Sequence, residues 1–200
     1  MTYQELISKL NNRENFSFSR FGDGEFACML GKSGANCDGH EYFPDLGERL
    51  NQAWNEPKGI VGTQRYGQAM YPQFTHTGID ADILHKASIA GELVEFLNAL
   101  DRVNFILVGP SHLRRLYIPK PDHFIEVPTK NAWRDYSRIQ AEVLMASAPD
   151  DVVLYCCGMM AEVLIWDMYS DDFTQIDCGS VFDPYVGVNS RQYHKKLKLN

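Results

Sequence analysis

The stretch Phe16-Ser-Phe-Ser-Arg20-Phe-Gly-Asp23-Gly-Glu25-Phe26 constrains the fold more than any other part of the chain. Phe16 and Phe18 alternate with Ser17 and Ser19, the period of a short half-buried strand. Gly22 and Gly24 then break the strand, and residues 25–30 read as the start of a helix. Strand, glycine turn and helix in immediate succession predict a β–α unit. One guanidinium and two carboxylates at such a turn point to a site for a metal and a phosphate.

Two other readings of the turn stand beside that one. Acids near a helix N-terminus offset the helix dipole and cap free N–H groups, so Asp23 could be a cap and Glu25 a first-turn acid. Gly22-x-Gly24-x-x-Ala27 also matches the dinucleotide fingerprint, in which backbone amides cradle a pyrophosphate. Asp23 and Glu25 would repel a bare diphosphate, and a divalent cation removes that conflict by binding carboxylates and phosphate oxygens together. Residues two apart on a helix point about 200° apart, so sharing an ion requires Asp23 to lie before the helix begins.

The rest of the chain repeats the alternation. Tyr3, Leu6, Ile7 and Leu10 predict an opening helix. A Gly- and Asp-rich loop over 31–39 precedes a helix marked by Leu46, Leu50 and Trp54. Strands are predicted at 59–63, 86–90, 103–108, 124–127, 152–155 and 174–176, with helices at 92–100, 132–145 and 161–169 between them. This order implies a Rossmann-like α/β domain: a mainly parallel sheet, helices on both faces, and one domain over 1–200. Ligands of such sheets bind beyond the carboxyl ends of the strands. The residues there are Asp23 and Glu25, Arg65 and Tyr66, Ser111 and His112, Lys130 and Asn131, Gly158, and Asp177 with Gly179.

Ser19-Arg20-Phe21-Gly22-Asp23-Gly24-Glu25 resembles the signature of the GT-D glycosyltransferases, a family long catalogued only as a domain of unknown function. The likeness extends to Ile125-Glu-Val-Pro128-Thr-Lys130-Asn131-Ala132, to Val152–Gly158 followed by Ala161-Glu-Val-Leu, and to Ile176-Asp177-Cys-Gly179. It implies a nucleotide-sugar donor such as UDP-glucose or a related UDP-hexose, and a Mn²⁺ or Mg²⁺ ion held through the Asp-x-Glu pair, Asp23 and Glu25. The expected donor-side residues are Arg20, Phe21, Gly22, Arg65, Ser111, Lys130, Asn131, Gly158, Asp177 and Gly179. Where the family has a His- and Asp-rich acidic segment, this chain has Ser180-Val-Phe-Asp183-Pro-Tyr185. Asp183 is the expected base if the reaction inverts.

Composition narrows the partners. A net charge of −7, from 19 Lys and Arg against 26 Asp and Glu, gives no global field toward nucleic acid or anionic lipid. A glycan or glycoconjugate acceptor is therefore expected ahead of modified (hydroxymethylated) DNA. A non-catalytic nucleotide-binding module is the alternative from another class. The basic segment 191–198 reads as a solvated tail or last turn. No apolar run approaches the roughly 20 residues of a membrane span, and the N-terminus lacks signal-peptide features, so a cytoplasmic protein is expected. The five cysteines form no Cys-x-x-Cys pair and are expected reduced, with Cys156 and Cys157 buried. Cys28, Cys37 and His40 would make half of a zinc site with no evident second half.

Overall fold

The computed structural model describes residues 1–74, 78–117 and 119–197. Its helices are α1 (Tyr3–Asn11), α2 (Asp23–Met29), α3 (Pro44–Asn55), α4 (Arg65–Met70), α5 (Ile83–Ala90), α6 (Val94–Leu100), α7 (Tyr136–Ala146) and α8 (Met160–Asp167). Its strands are β1 (Ser17–Phe21), β2 (Ile60–Thr63), β3 (Phe105–Pro110), β4 (His123–Val127), β5 (Val152–Tyr155) and β6 (Thr174–Asp177). The six strands form one sheet in the order β2-β1-β6-β5-β3-β4, and every pairing is parallel. All carboxyl ends therefore lie along one edge, where the parallel α/β order predicts the ligand.

Alternation along the strands divides the core into two faces. Phe105 and Leu107 of β3 and Val152 and Leu154 of β5 pack with Leu6, Leu84 and Phe96 from α1, α5 and α6. Ile106, Val108, Val153 and Tyr155 point the other way, against Ile139, Val143, Ala161 and Leu164 of α7 and α8. A second cluster on that side joins Phe21 to Phe26, Leu50, Trp54 and Val163. Helices on both sides leave the central strands no solvent face. For that reason β1 is buried along its whole length rather than half-buried. Ser17 and Ser19 are buried with its phenylalanines, and Ser17 Oγ accepts a hydrogen bond from Gln175 Nε2.

One predicted strand is a helix. Residues 86–90 belong to α5, in which Ile83, Leu84, Ala87 and Ser88 are buried at helical spacing. Gly91 ends it in the left-handed region at φ 79°, returning its N–H to the Ala87 and Ser88 carbonyls. The predicted helix 132–145 begins as a 3-10 turn, Ala132–Asp135, before α7. Residue 198 of the basic C-terminal segment lies outside the described residues. Gln192–Lys196 forms a 3-10 turn that packs against α5.

Among the described residues no helix is long and apolar enough to cross a membrane.

Candidate active site

Two cavities of about 400 Å³ each open beyond the carboxyl ends of the central strands. They share Cys37, Asp38, His40, Gly158, Gly179 and Arg191. The first is lined by Arg20, Gly22, Asp23, Glu25, Gln64, Glu162 and Asp177, so its wall is strongly acidic. The second is lined by His112, Lys130, Cys156, Cys157, Asp183 and Ser190. Each has the volume of a small-molecule site.

Asp23 is the first residue of α2 and Gly22 its N-cap, so Asp23 does not precede the helix as the shared-ion geometry required. Glu25 folds back, and its Oε2 accepts a 2.8 Å hydrogen bond from the Gly22 N–H. The capping reading is thus partly realised, at Glu25 rather than at Asp23. Asp23 makes no hydrogen bond or ion pair among the described residues. Both carboxylates still line the same cavity.

Behind them Arg20, Glu162 and Asp177 form a buried charge cluster. Arg20 donates from Nε to the Ala81 carbonyl at 2.7 Å and from Nη2 to Asp82 Oδ1 at 3.4 Å. Its Nη1 lies 3.6 Å from Asp177 Oδ2. The guanidinium is therefore a fixed positive charge anchored by protein acceptors, not the free fork expected for a phosphate. Asp177 Oδ1 accepts from the Gly179 N–H at 2.8 Å. Glu162 is 2% exposed, and its Oε2 has no hydrogen-bond partner. Burial raises the Glu162 carboxyl well above its ordinary value, and the charges of Asp177 and Glu25 add to this. Burial also raises Glu25 to about 7, with Asp177 contributing, and it raises Asp177 against the pull of Arg20.

Such a cluster suits a hard cation. Its donors are all carboxylate oxygens, and burial together with mutual repulsion leaves them short of positive charge. Among the described residues no three His, Cys, Asp or Glu side chains converge as a ready-made cage. Mg²⁺-type sites are commonly completed by one or two carboxylates together with substrate phosphates and water. With both acids inside α2, Asp23, whose side chain has no partner among the described residues, fits as the direct ligand, and Glu25 lines the same cavity. Cys28, Cys37 and His40 are likewise not gathered into a metal-binding group. All five cysteines are free, and four of them, including Cys156 and Cys157, are buried.

Several predicted site residues lie elsewhere. Phe21 sits on the face of β1 beneath α2 and α3, with its ring 5.1 Å from that of Trp54; it is core. Arg65 opens α4 at the end of the edge strand β2 and is exposed, outside both cavities. Ser111 begins the 3-10 turn Ser111–Arg115 and faces solvent. Asn131, in the left-handed region at φ 57°, has its Oδ1 occupied by the Glu41 N–H at 2.8 Å; it stitches the 36–41 loop. Gly22, Lys130, Gly158, Asp177, Gly179 and Asp183 do line the cavities. Gly158 and Gly179 have φ of 65° and 54°, which glycine adopts without strain. A side chain at Gly179 would also collide with Arg20 Nη1.

Gln64, Glu162, Asp38, His40 and Arg191 line the cavities although no motif singled them out for a donor. Arg191 pairs with Asp38, tying the C-terminal turn to the 31–39 loop. A charged residue inside the apolar run Ala161-Glu-Val-Leu-Ile was the one local signal for Glu162.

Three solved structures share this fold. A selenomethionine-substituted DUF1792 domain superposes with a TM-score of 0.70 at 15% identity, over 100% of this chain and 90% of that one. A structure described as the highly conserved domain of unknown function 1792, with a distinct glycosyltransferase fold, gives 0.71 at 16% with the same coverage. A third, described as a new glycosyltransferase (DUF1792) from Streptococcus sanguinis, gives 0.69 at 16%, over 96% and 86% of the two chains. No protein-family model matches the sequence, and no curated protein does. At this level of identity the likeness establishes the architecture: the chain has the glycosyltransferase fold described for DUF1792.

Proposed function

We propose that this protein is a glycosyltransferase that moves a hexosyl group from a nucleotide diphosphate sugar to a glycan or glycoconjugate hydroxyl. The proposed donor is UDP-glucose or a related UDP-hexose, and the proposed metal is Mn²⁺ or Mg²⁺. The observation that carries the reading is the acidic cavity at the end of β1, lined by Asp23, Glu25, Glu162 and Asp177. The neighbours described as glycosyltransferases support the class.

Breaking the anomeric C–O bond leaves a diphosphate whose growing charge must be stabilised. A divalent ion held by Asp23 and Glu25 would supply Lewis-acid stabilisation of that charge. The chain's own residues do the rest. Arg191, which lines both cavities, and Lys130, which lines the second, are cations near where the two cavities meet. Arg20 stays in place as a counter-charge and keeps Asp177 aimed at the Gly179 turn. The glycine turn at Gly179 lets the Arg20 guanidinium lie close against the backbone.

Thermal-shift titration with UDP, in Mn²⁺ and in EDTA, tests the reading. Wild-type protein is expected to gain several degrees only when UDP and metal are both present. Asp23→Ala and Glu25→Ala should fold and lose that gain. Equal binding in EDTA by wild type and both variants would remove the metal role and leave Glu25 as a helix cap.

A further inference from the structure

The second cavity holds a histidine oriented as a base would be. The 3-10 turn after β3 carries His112 to the cavity wall, where it is 22% exposed. Its Nε2 lies 2.8 Å from Asp183 Oδ1. Asp183 begins the 3-10 turn Asp183–Val186 beyond β6. Its other oxygen accepts a hydrogen bond from the Ser190 hydroxyl. Asp183 is buried with both oxygens engaged, so it is poorly placed to take a proton from a substrate. A carboxylate that accepts at Nε2 assigns the ring hydrogen to that nitrogen and leaves the lone pair on Nδ1. Nδ1 has no hydrogen-bond partner among the described residues.

The other proton acceptors around this cavity are less suited. His40 Nδ1 already accepts from the Asn131 N–H at 3.4 Å. Asp38 is paired with Arg191. Burial holds the Cys156 and Cys157 thiols well above their ordinary value, which keeps them protonated. Lys130 and Arg191 are the cations on the same wall.

We propose that His112 is the general base that takes the proton of the attacking hydroxyl, with Asp183 as its positioning residue. This rests on the glycosyltransferase reading above. As the acceptor oxygen bonds to the anomeric carbon, the bond from that carbon to the phosphate oxygen breaks, and its electron pair leaves on the diphosphate. The acceptor proton moves to His112 Nδ1. The imidazolium so formed faces the Asp183 carboxylate, which stabilises it until the proton passes to water. This arrangement assigns the acidic first cavity to the donor and the second to the acceptor.

The test is hydrolysis of UDP-glucose, UDP-galactose and UDP-N-acetylglucosamine with Mn²⁺, water standing in for the acceptor hydroxyl. His112→Gln is expected to lower kcat about 100-fold or more, with the donor KM and UDP binding within about twofold of wild type. Added imidazole should restore part of the rate to His112→Ala and none to Asp183→Asn, whose own imidazole would be present but misoriented. Hydrolysis by His112→Gln within threefold of wild type would overturn the base assignment while leaving the enzyme class intact. If the wild type turns over none of the three donors, the enzyme reading falls and the base falls with it.

Discussion

Three carboxylates, Glu25, Glu162 and Asp177, surround one anchored guanidinium, Arg20, in the acidic cavity. One cation cannot neutralise three buried acids, so the cluster holds protons or attracts a second positive charge. Asp23 and Glu25 were legible in the sequence because glycines isolate them at a strand end. Glu162 was not, since an acid within a helix ordinarily reads as a solvated position, and only the packing of α8 against β1 and β6 buries it. Asp183 was legible as a polar group near the late turn, but its burial against His112 depends on contacts between two distant 3-10 turns. The cysteines give a residue-scale test. Cys28, Cys156, Cys157 and Cys178 are buried and Cys37 is exposed, and burial raises the Cys156, Cys157 and Cys178 thiols well above 9.0. Thiolate fraction and access both govern labelling. In native protein one thiol, Cys37, should react within minutes and the other four only on unfolding. Rapid labelling of Cys156 or Cys157 at neutral pH would contradict their burial just beyond β5.

The helix α2 that carries Asp23 and Glu25 is short, and its position depends on its neighbours. It packs mainly on α3, where Gly47 lets the backbones approach closely. A Cβ on Gly47 would stand 2.5 Å from the Cys28 carbonyl oxygen. That contact is with backbone, so relief requires the two helices to separate. Gly47→Ala should therefore cost about 1–3 kcal/mol, the usual range for overpacking. It should also weaken metal-dependent UDP binding, because α2 moves with the contact. Chemical denaturation alongside UDP titration measures both, and unchanged stability would refute the close crossing. Most elements at this scale were readable from periodicity, since strands and helices alternate with clear glycine breaks. The 86–90 segment was misread because a short apolar run suits either state. Its buried set begins at Ile83, and the Gly91 cap closes a helix.

At the scale of the whole molecule, the buried acid cluster links stability to pH and to the ligand. Burial raises the Glu25 carboxyl from its ordinary 4.5 to about 7 in the folded protein. Between those values the folded chain keeps a proton that the unfolded chain releases. Its contribution to stability is thus fully present below 4.5 and lost as pH rises through about 7. Glu162 and Asp177 are raised in the same direction, chiefly by burial. His85 has the opposite sign. Burial, with the charges of Arg20 and Arg191, holds its imidazole well below 6.5. Its contribution is present above 6.5 and fades as pH falls below it. The two effects oppose one another between pH 5 and 6.5, so the melting temperature of wild-type protein alone would not separate them. The difference between Glu25→Gln and wild type does, because His85 is common to both and cancels. In EDTA that difference should grow in favour of the variant as pH rises from 5 to 7 and then level off. Adding Mn²⁺ and UDP should reverse its sign above pH 7, since a cation favours the deprotonated carboxylates that only the wild type retains in full. A pH-independent difference in EDTA would mean that Glu25 is solvated and carries its charge without penalty, and the acidic cavity would then lack the electrostatic demand for a cation.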